Sequence, residues 1–195
     1  MSRELLKHNA IRPFLGIWMD TVRNGQFGLT NTNKLIRFYD GAIGVKTAST
    51  TNAKYRLSSV ATREGLTLIG VVLGAETTNE RFETAKQLLN YGFSNYKIET
   101  LTEKGVSFGT ANVSKGKVAT VNAVTESSFK RLSNSRSGNK TETKTTIYKD
   151  IKAPVYRGDE IGKIEFLENG ESVGEVKLLA ENDVKRLNII DVFGI

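Results

Sequence analysis

The chain has 195 residues, of which 38% are hydrophobic and 25% are charged, and its net charge is +7. This composition is typical of a globular protein with one domain or two small ones, and it excludes an extensively disordered chain. There is no cysteine, and the single histidine, His8, is expected on the surface. Disulfides, thiolate nucleophiles and zinc-thiolate centres are therefore excluded, and we predict neither a metal nor a cofactor.

The positive charge is spread along the chain and forms no dense basic stripe. Residues 1–96 contain 12 basic and 7 acidic residues, and residues 97–195 contain 16 and 14. The most basic segment, "ESSFKRLSNSRSGNKTETK" (126–144), has a Ser/Asn/Gly/Thr background, which is typical of a solvated hairpin loop. We predict no nucleic-acid partner, and the same charge would suit the anionic polymers of a cell surface.

The first half of the chain predicts a small antiparallel sheet. A short helical start and an aromatic-rich segment lead into extended sequence at Ile43–Thr50. Two apolar runs follow, Tyr55–Ala61 and Leu66–Leu73, and Arg63-Glu64-Gly65 joins them as the turn of a β-hairpin.

A helix is predicted directly after this hairpin, in "TTNERFETAKQLLNYGF". Thr78 or Asn79 can cap its start and Gly92 can end it. Because the helix follows a hairpin, we expect it to cover one face of the sheet with an apolar stripe. The apolar residues at helical spacing are Phe82, Ala85, Leu88 and Leu89.

From Tyr96 onward the helical period disappears, and short strand-like pieces recur between turn signals. The pair Asn169-Gly170 lies between two β-rich arms, where a two-residue hairpin turn is favoured because both positions tolerate positive φ. The fold class is therefore predicted as α+β, with one domain over residues 1–95 and an all-β, sandwich-like domain over residues 96–195. The strand-like pieces are "GVSFGTANV", "KVATVNAV", "KTTIYKDI", "IGKIEFL" and "SVGEVKLLA".

One triplet gives the sequence a family resemblance. Lys46-Thr47-Ala48 differs by one residue from Lys-Thr-Gly, the carboxylate-holding triplet of penicillin-binding proteins. Around it stand "IWMDTVRNGQFGLTNTNKLIRFYDGAIGVKT", "LTLIGVVLGAETTNERFETAKQLLNYGF" and "APVYRGDEIGKIEFLENGESVGEVKLLA". With these blocks in order, the chain resembles the low-molecular-mass penicillin-binding proteins, which are serine-type D-alanyl-D-alanine carboxypeptidases. Residues 1–95 would then be the C-terminal portion of a transpeptidase-like, β-lactamase-like catalytic domain.

The resemblance implies a set of substrate-binding residues. Lys46 and Thr47 would lie on the strand that walls the cleft and act on the substrate's terminal carboxylate, and the backbone N–H of Ser49 would supply half of an oxyanion hole. Arg81, near a helix N-terminus, would fork onto the same carboxylate. Ala48 replaces the family's glycine and either crowds the cleft or fits. Without the resemblance, Lys46 would be interpreted as a sheet-edge lysine and Arg81 as a surface helix residue.

The resemblance also shows what the 195 residues lack. The family's nucleophile serine, its partner lysine and its Ser-x-Asn element precede the triplet, and no counterpart is found among the 45 residues before Lys46. We therefore expect a truncated carboxypeptidase that is inactive alone, with exposed apolar sheet surface and a missing N-terminal part as a possible partner. Displaced matches lie outside the predicted helix, and none is expected to catalyse. They are Ser94…Lys97, Ser114…Lys117, Ser127…Lys130 and Ser137-Gly138-Asn139.

Two classes of function follow. In the first, the parent enzyme removes the terminal D-Ala of peptidoglycan stem peptides through a serine acyl-enzyme and also binds β-lactams. In the second, the chain is a non-catalytic binding module of the cell envelope. The family acts outside the cytoplasm at the membrane surface, but this sequence shows no secretion signal and no amphipathic anchor, so we expect a cytoplasmic chain if it is expressed as written.

Overall fold

The computed structural model describes residues 1–136 and 140–188. Contacts divide the chain into two compact units. The first comprises Met1–Ile98 and Leu132–Arg136, and the second comprises Glu99–Arg131 and the described residues after 139. The division into domains at residues 95 and 96 stays a prediction.

The first unit contains a three-stranded antiparallel sheet and one long helix. Its sheet has the order β3-β4-β5, and a separate two-stranded hairpin is formed by β1 and β2. In chain order the elements are α1 (Ser2–Leu5), α2 (Arg12–Leu15), β1 (Met19–Val22), β2 (Phe27–Thr30), α3 (Leu35–Phe38), β3 (Ala42–Thr50), β4 (Lys54–Arg63), β5 (Leu66–Ala75) and α4 (Thr78–Asn95).

The predicted hairpin is confirmed. Strands β4 and β5 pair with Arg63 opposite Leu66, so Glu64 and Gly65 form a two-residue turn. Both turn residues have positive φ, 47° and 80°. This conformation matches the twist of the flanking strands and explains why glycine stands at the second position.

Helix α4 covers one face of the sheet, as predicted, but its ends differ from the prediction. Thr77 is the N-cap, and its side chain accepts a hydrogen bond of 3.1 Å from the backbone N–H of Glu80. The helix continues through Gly92 to Asn95. A β-carbon at Gly92 would lie 2.4 Å from Cδ1 of Leu68, so this glycine permits close packing on β5 and does not end the helix.

The core of the first unit lies between α3, α4 and the inner face of the sheet. It includes Leu35 of α3, Leu57 of β4, Val72 of β5 and Leu89 of α4. The opposite face of β5 carries exposed apolar side chains, among which Val71 is 55% and Leu73 is 73% exposed. The predicted exposed apolar sheet surface is therefore present.

The second unit is built from β-strands, as predicted. One sheet has the order β10-β12-β13-β8-β7-β11, and β6 pairs with β9 in a two-stranded sheet. From residue 96 onward the strands are β6 (Tyr96–Thr102), β7 (Ser107–Ser114), β8 (Thr120–Thr125), β9 (Phe129–Asn134), β10 (Thr141–Ile147), β11 (Ile151–Lys152), β12 (Glu160–Glu168) and β13 (Glu171–Ala180). Residues 96–98 of β6 and 132–134 of β9 are counted with the first unit.

The turn between β12 and β13 is the predicted one. Glu168 pairs with Glu171, and both Asn169 and Gly170 have positive φ. The inner faces of the strands form a second hydrophobic core around Ile164 and Phe166. One helix-on-sheet unit and one β unit confirm the α+β fold class.

The basic segment 126–144 is mostly strand, and the prediction of a solvated loop was wrong there. It contains β9 and the first part of β10, while residues 137–139 lie outside the described residues. Arg131 of β9 is 11% exposed and forms ion pairs with Glu99, at 3.1 Å, and Glu168, at 2.9 Å. One of the segment's basic side chains therefore holds strands together, which lowers the charge available to a nucleic acid.

Candidate functional site

The Lys46-Thr47-Ala48 triplet lies in the middle of β3, which is the end strand of the three-stranded sheet. Lys46, Ala48 and Ser49 are exposed, whereas Thr47 is only 8% exposed. The predicted strand is therefore confirmed, and three of its four candidate residues are open to a ligand.

Lys46 and Thr47 point to opposite faces of the sheet, because side chains alternate along a strand. Lys46 lies opposite Ser58 and Thr47 lies opposite the buried Leu57. A ligand can meet side chains from both faces of a sheet only if it lies beside the free edge of an end strand. The end position of β3 provides that condition.

The hydroxyl of Thr47 has a partner outside the sheet. Its Oγ1 lies 2.6 Å from Oγ1 of Thr32, a residue in the segment between β2 and α3, and either oxygen can be the donor. Thr32 itself is exposed to solvent.

Arg81 lies in the first turns of α4, directly behind the triplet strand. Its Nη1 donates to the carbonyl oxygens of Ala48, at 3.4 Å, and Arg56, at 3.3 Å. The guanidinium also lies over the rings of Phe82, 4.7 Å from the centroid, and Tyr55, at 5.4 Å. The residue is 5% exposed and is not the surface arginine of the alternative interpretation.

The electrostatics of Arg81 follow from this burial. Loss of hydration lowers the pKa of its guanidinium, and the nearby Tyr55 opposes that effect. Arginine nevertheless keeps its charge at neutral pH. Its Nε is buried and has no hydrogen-bond partner among the described residues. The structure therefore places the positive charge of the Arg81 guanidinium beside the backbone of the triplet, where burial limits its screening by salt. Within the described part of the chain, the Nε–H of Arg81 remains an unused donor.

The displaced Ser-x-x-Lys matches are not arranged for catalysis in the described part of the chain. Ser94 falls in the last turn of α4, which is longer than predicted, but Lys97 belongs to β6. Ser114 ends β7, and Lys130 lies in β9. No pair shares one helical turn, and the Ser137-Gly138-Asn139 match lies outside the described residues.

Sequence reasoning missed Thr32. Its neighbours hold it in place: Asn31 donates from Nδ2 to the carbonyl of Ile17, at 2.9 Å, and accepts from the N–H of Asn33, at 2.9 Å. The side chain of Asn33 accepts in turn from the N–H of Leu35. An Asn-x-Asn pattern just before a helix is a signal for such side chain-to-backbone turns, and it could have drawn attention to this segment.

Within residues 1–136 and 140–188, no cluster of three or more His, Cys, Asp or Glu side chains could hold a metal ion. None of the helices in the same ranges has both the length and the apolar character needed to cross a membrane.

Comparisons with known proteins agree on one family. Residues 96–186 match the model described as penicillin-binding protein 5, C-terminal domain. The Bacillus subtilis D-alanyl-D-alanine carboxypeptidase DacF is 34% identical over 97% of this chain and 50% of its own length. The Escherichia coli carboxypeptidase DacC is 31% identical over 73% of this chain and 36% of its own length.

A solved structure supports the fold. Penicillin-binding protein 5 from Haemophilus influenzae superposes with a TM-score of 0.65 at 24% identity, covering 95% of this chain and 53% of the other. The chain thus spans about half the length of these two relatives, DacF and the Haemophilus protein. The chain as a whole is similar to the low-molecular-mass penicillin-binding proteins, and its residues 96–186 match the C-terminal domain of penicillin-binding protein 5.

Proposed function

We propose that this chain supplies the carboxylate-binding wall of a serine-type D-alanyl-D-alanine carboxypeptidase. The substrate would be a peptidoglycan stem peptide ending in D-Ala-D-Ala, and β-lactams would enter the same cleft. The observation that carries the proposal is that Lys46 and Thr47 lie on the end strand of a sheet and that Arg81 of α4 contacts the backbone of the same strand. Relatives named as carboxypeptidases of this specificity support it.

Each residue has a role in the proposal. The ammonium of Lys46 attracts the terminal carboxylate, and the hydroxyl of Thr47 donates a hydrogen bond to it. Arg81 holds the carbonyl of Ala48 and adds positive charge behind the strand, which is a less direct role than a two-pronged contact with the substrate. Its Nε is buried as well, so Arg81 acts through its charge and through the backbone of the strand.

The backbone of Ser49 takes the oxyanion role in this proposal. Arg81 reaches the carbonyls of both Ala48 and Arg56, which are opposite each other, so both oxygens are directed between the strands. In an antiparallel ladder the next residue then directs its N–H away from the partner strand. The N–H of Ser49 would therefore face the substrate side, where it can stabilise developing negative charge.

The reaction needs a serine nucleophile. Since none of the described Ser-x-x-Lys pairs shares a helical turn, we propose that the nucleophile comes from outside the described residues and that these residues alone are catalytically inactive. Ala48 replaces glycine on an exposed position, so we expect its methyl group to be tolerated. Peptidoglycan lies outside the cytoplasmic membrane, and the proposed activity would be exercised there.

A labelling experiment tests this function. The chain is fused to the half of DacF that it does not match, and the chimera is incubated with a fluorescent penicillin. We expect a covalent adduct, and Lys46→Ala should slow its formation about 100-fold or more, as the loss of one charge-stabilising group does in acyl-transfer sites. The matched control is Lys54→Ala, which removes an exposed lysine that pairs with Glu76 beyond the end of β3. A chimera that folds but is never labelled would contradict the proposal.

A second candidate is a non-catalytic envelope module. The second unit has its own hydrophobic core and matches a domain model by itself, so it can act as a binding domain without the triplet strand. A chimera that folds but is never labelled by the fluorescent penicillin would favour this candidate.

A further inference from the structure

The structure places a second threonine against the candidate site. Oγ1 of Thr32 is 2.6 Å from Oγ1 of Thr47, which is within the usual range for a hydrogen bond between hydroxyls. We infer that Thr32 is a positioning residue, which directs the Thr47 hydroxyl proton towards the ligand carboxylate. The inference rests on the proposed function of the triplet strand.

The direction of this hydrogen bond follows from the hydrogen-bonding capacity of a hydroxyl. Each hydroxyl donates one hydrogen and accepts up to two. A carboxylate can only accept, so Thr47 must give its single proton to the ligand. The contact between the two threonines then has one possible direction in the complex, in which Thr32 donates to Thr47.

This direction strengthens the contact to the ligand. A hydroxyl that accepts a hydrogen bond is polarised and becomes a better donor, so Thr32, Thr47 and the carboxylate form a cooperative chain. Without ligand either threonine can donate. Ligand binding therefore selects one of two proton arrangements at a pair of oxygens that is already in place.

Thr32 is held where this role requires it. Asn31 is tied to the carbonyl of Ile17 and to the N–H of Asn33, and Asn33 is tied to the start of α3. The backbone N–H of Asn31 also donates to the carbonyl of Trp18, at 2.8 Å. The Asn-Thr-Asn segment is thus fixed on both sides of Thr32, and little ordering is needed when a ligand binds.

Two variants separate the hydroxyl from the shape of the side chain. Thr32→Val keeps the branched shape and removes the donor, and Thr32→Ser keeps the hydroxyl. Thr30→Val changes an exposed threonine two residues away in β2 and serves as the matched control. Lys46→Met tests the proposed function separately.

The first measurement needs no ligand. Three-bond couplings to Cγ2 of Thr47, measured by NMR, report whether its χ1 angle is fixed. We expect a single rotamer in the wild-type chain, in Thr32→Ser and in Thr30→Val, and rotamer averaging in Thr32→Val. A single unchanged rotamer in Thr32→Val would overturn the positioning role.

The second measurement uses a peptide that ends in D-Ala-D-Ala with a free carboxylate, titrated into the same proteins. Thr32→Val should weaken its binding about three- to tenfold, the effect of one hydrogen bond, while Thr32→Ser and Thr30→Val should bind as the wild type does. Binding that Lys46→Met abolishes but Thr32→Val leaves unchanged would overturn this inference and leave the proposed function intact. If the wild type binds no peptide, the proposed function fails, and the ligand-directed role of Thr32 fails with it even where the rotamer result is as expected.

Discussion

At the scale of single residues, Arg81 combines a structural role with its proposed role in the site. It is buried, its Nη1 donates to two backbone carbonyls, and two aromatic rings lie against it. Arg81 has no carboxylate partner among the described residues, and a buried cation of this kind is tolerated because carbonyl oxygens and ring faces replace part of its hydration. Arg81 therefore contributes to the stability of the strand pair as well as to the proposed site.

Replacing Arg81 should destabilise the first unit. Arg81→Met keeps the volume but leaves the carbonyls of Ala48 and Arg56 without this donor, and we expect a loss of about 1–3 kcal/mol in the free energy of unfolding. Arg81→Lys should lower the free energy of unfolding less than Arg81→Met does, because lysine keeps a charge and a donor. Urea titration checks this, with Arg37→Met in an exposed position of α3 as control, for which a change within about 0.5 kcal/mol is expected. Equal effects of Arg81→Met and Arg37→Met would contradict the structural role.

The raised pKa of Tyr39 predicts how the free energy of unfolding depends on pH. Burial raises the pKa of its hydroxyl, although the guanidinium of Arg63 opposes the shift, and the hydroxyl donates to Oδ1 of Asn90 at 2.8 Å. The folded state therefore holds this proton more tightly than the unfolded state. Its contribution is complete below the unfolded value of about pH 10 and is lost as the pH rises through the folded pKa.

The variant Tyr39→Phe isolates the contribution of the Tyr39 hydroxyl to the free energy of unfolding. Below pH 10 the wild type should be the more stable protein by the net value of one hydrogen bond, about 1 kcal/mol. That advantage should shrink as the pH rises from 10 to 11, because only the wild type loses stability through this group. Unfolding in urea at intervals from pH 8 to 11 measures the difference, in which all other titrating groups cancel. A difference that stays constant or grows with pH would be inconsistent with the raised pKa.

At the scale of secondary structure elements, the predictable parts are those fixed by local chemistry. The turn at Asn169-Gly170 is predictable because two consecutive residues that accept positive φ specify a tight hairpin by themselves. The first hairpin is predictable because Arg63-Glu64-Gly65 joins two apolar runs, although only Glu64 and Gly65 form its turn. The end of α4 could not be predicted in this way. Gly92 is required by its close contact with Leu68, which lies 24 positions away in sequence (92 − 68), and it does not end the helix. Long-range packing of this kind leaves no local pattern.

The same distinction applies to β9 and to the site. The sequence predicts a loop at β9 because the polar composition of this strand gives no alternation of apolar residues, and its pairing partner, β6, lies far back in the chain. The positions of Lys46, Thr47, Ser49 and Arg81 came from the family resemblance. The contact between Thr32 and Thr47 depends on the fold of the first unit, and no spacing rule contains it.

A glycine in β12 tests the packing of the β unit. A β-carbon at Gly162 would lie 2.4 Å from the carbonyl oxygen of Thr146 in β10, and a backbone atom cannot move aside as a flexible side chain can. Gly162→Ala should therefore cost about 1–3 kcal/mol, although alanine normally stabilises a strand relative to glycine. Gly28→Ala in β2, where a β-carbon would meet no atom within 4 Å, is the matched control and should be neutral or stabilising. Thermal unfolding of both variants distinguishes them, and a stabilising effect of Gly162→Ala would refute the close approach of β10 and β12.

At the scale of the whole molecule, the two units have separate hydrophobic cores. The chain passes between the units three times, after residues 98, 131 and 136. The fragment 96–195 contains every residue of the second unit's core, including Ile164 and Phe166. A core of this kind is the usual requirement for independent folding.

We therefore expect the fragment 96–195 to unfold cooperatively when it is produced alone. Its circular dichroism should be that of a β protein, and its thermal transition should be a single sigmoid in both the far and near ultraviolet. A spectrum of a disordered chain, or a transition without cooperativity, would show that the second unit depends on the first.

Binding of a terminal carboxylate by β3 can be measured residue by residue in an NMR titration of the chain. The ligand is a peptide ending in D-Ala-D-Ala, compared with the same peptide carrying a C-terminal amide. We predict saturable shifts of the backbone amides of residues 46–49 with the carboxylate form alone, and we predict that Lys46→Met abolishes them. Equal shifts with the amide form, or shifts that persist in Lys46→Met, would show that β3 does not recognise the terminal carboxylate through Lys46.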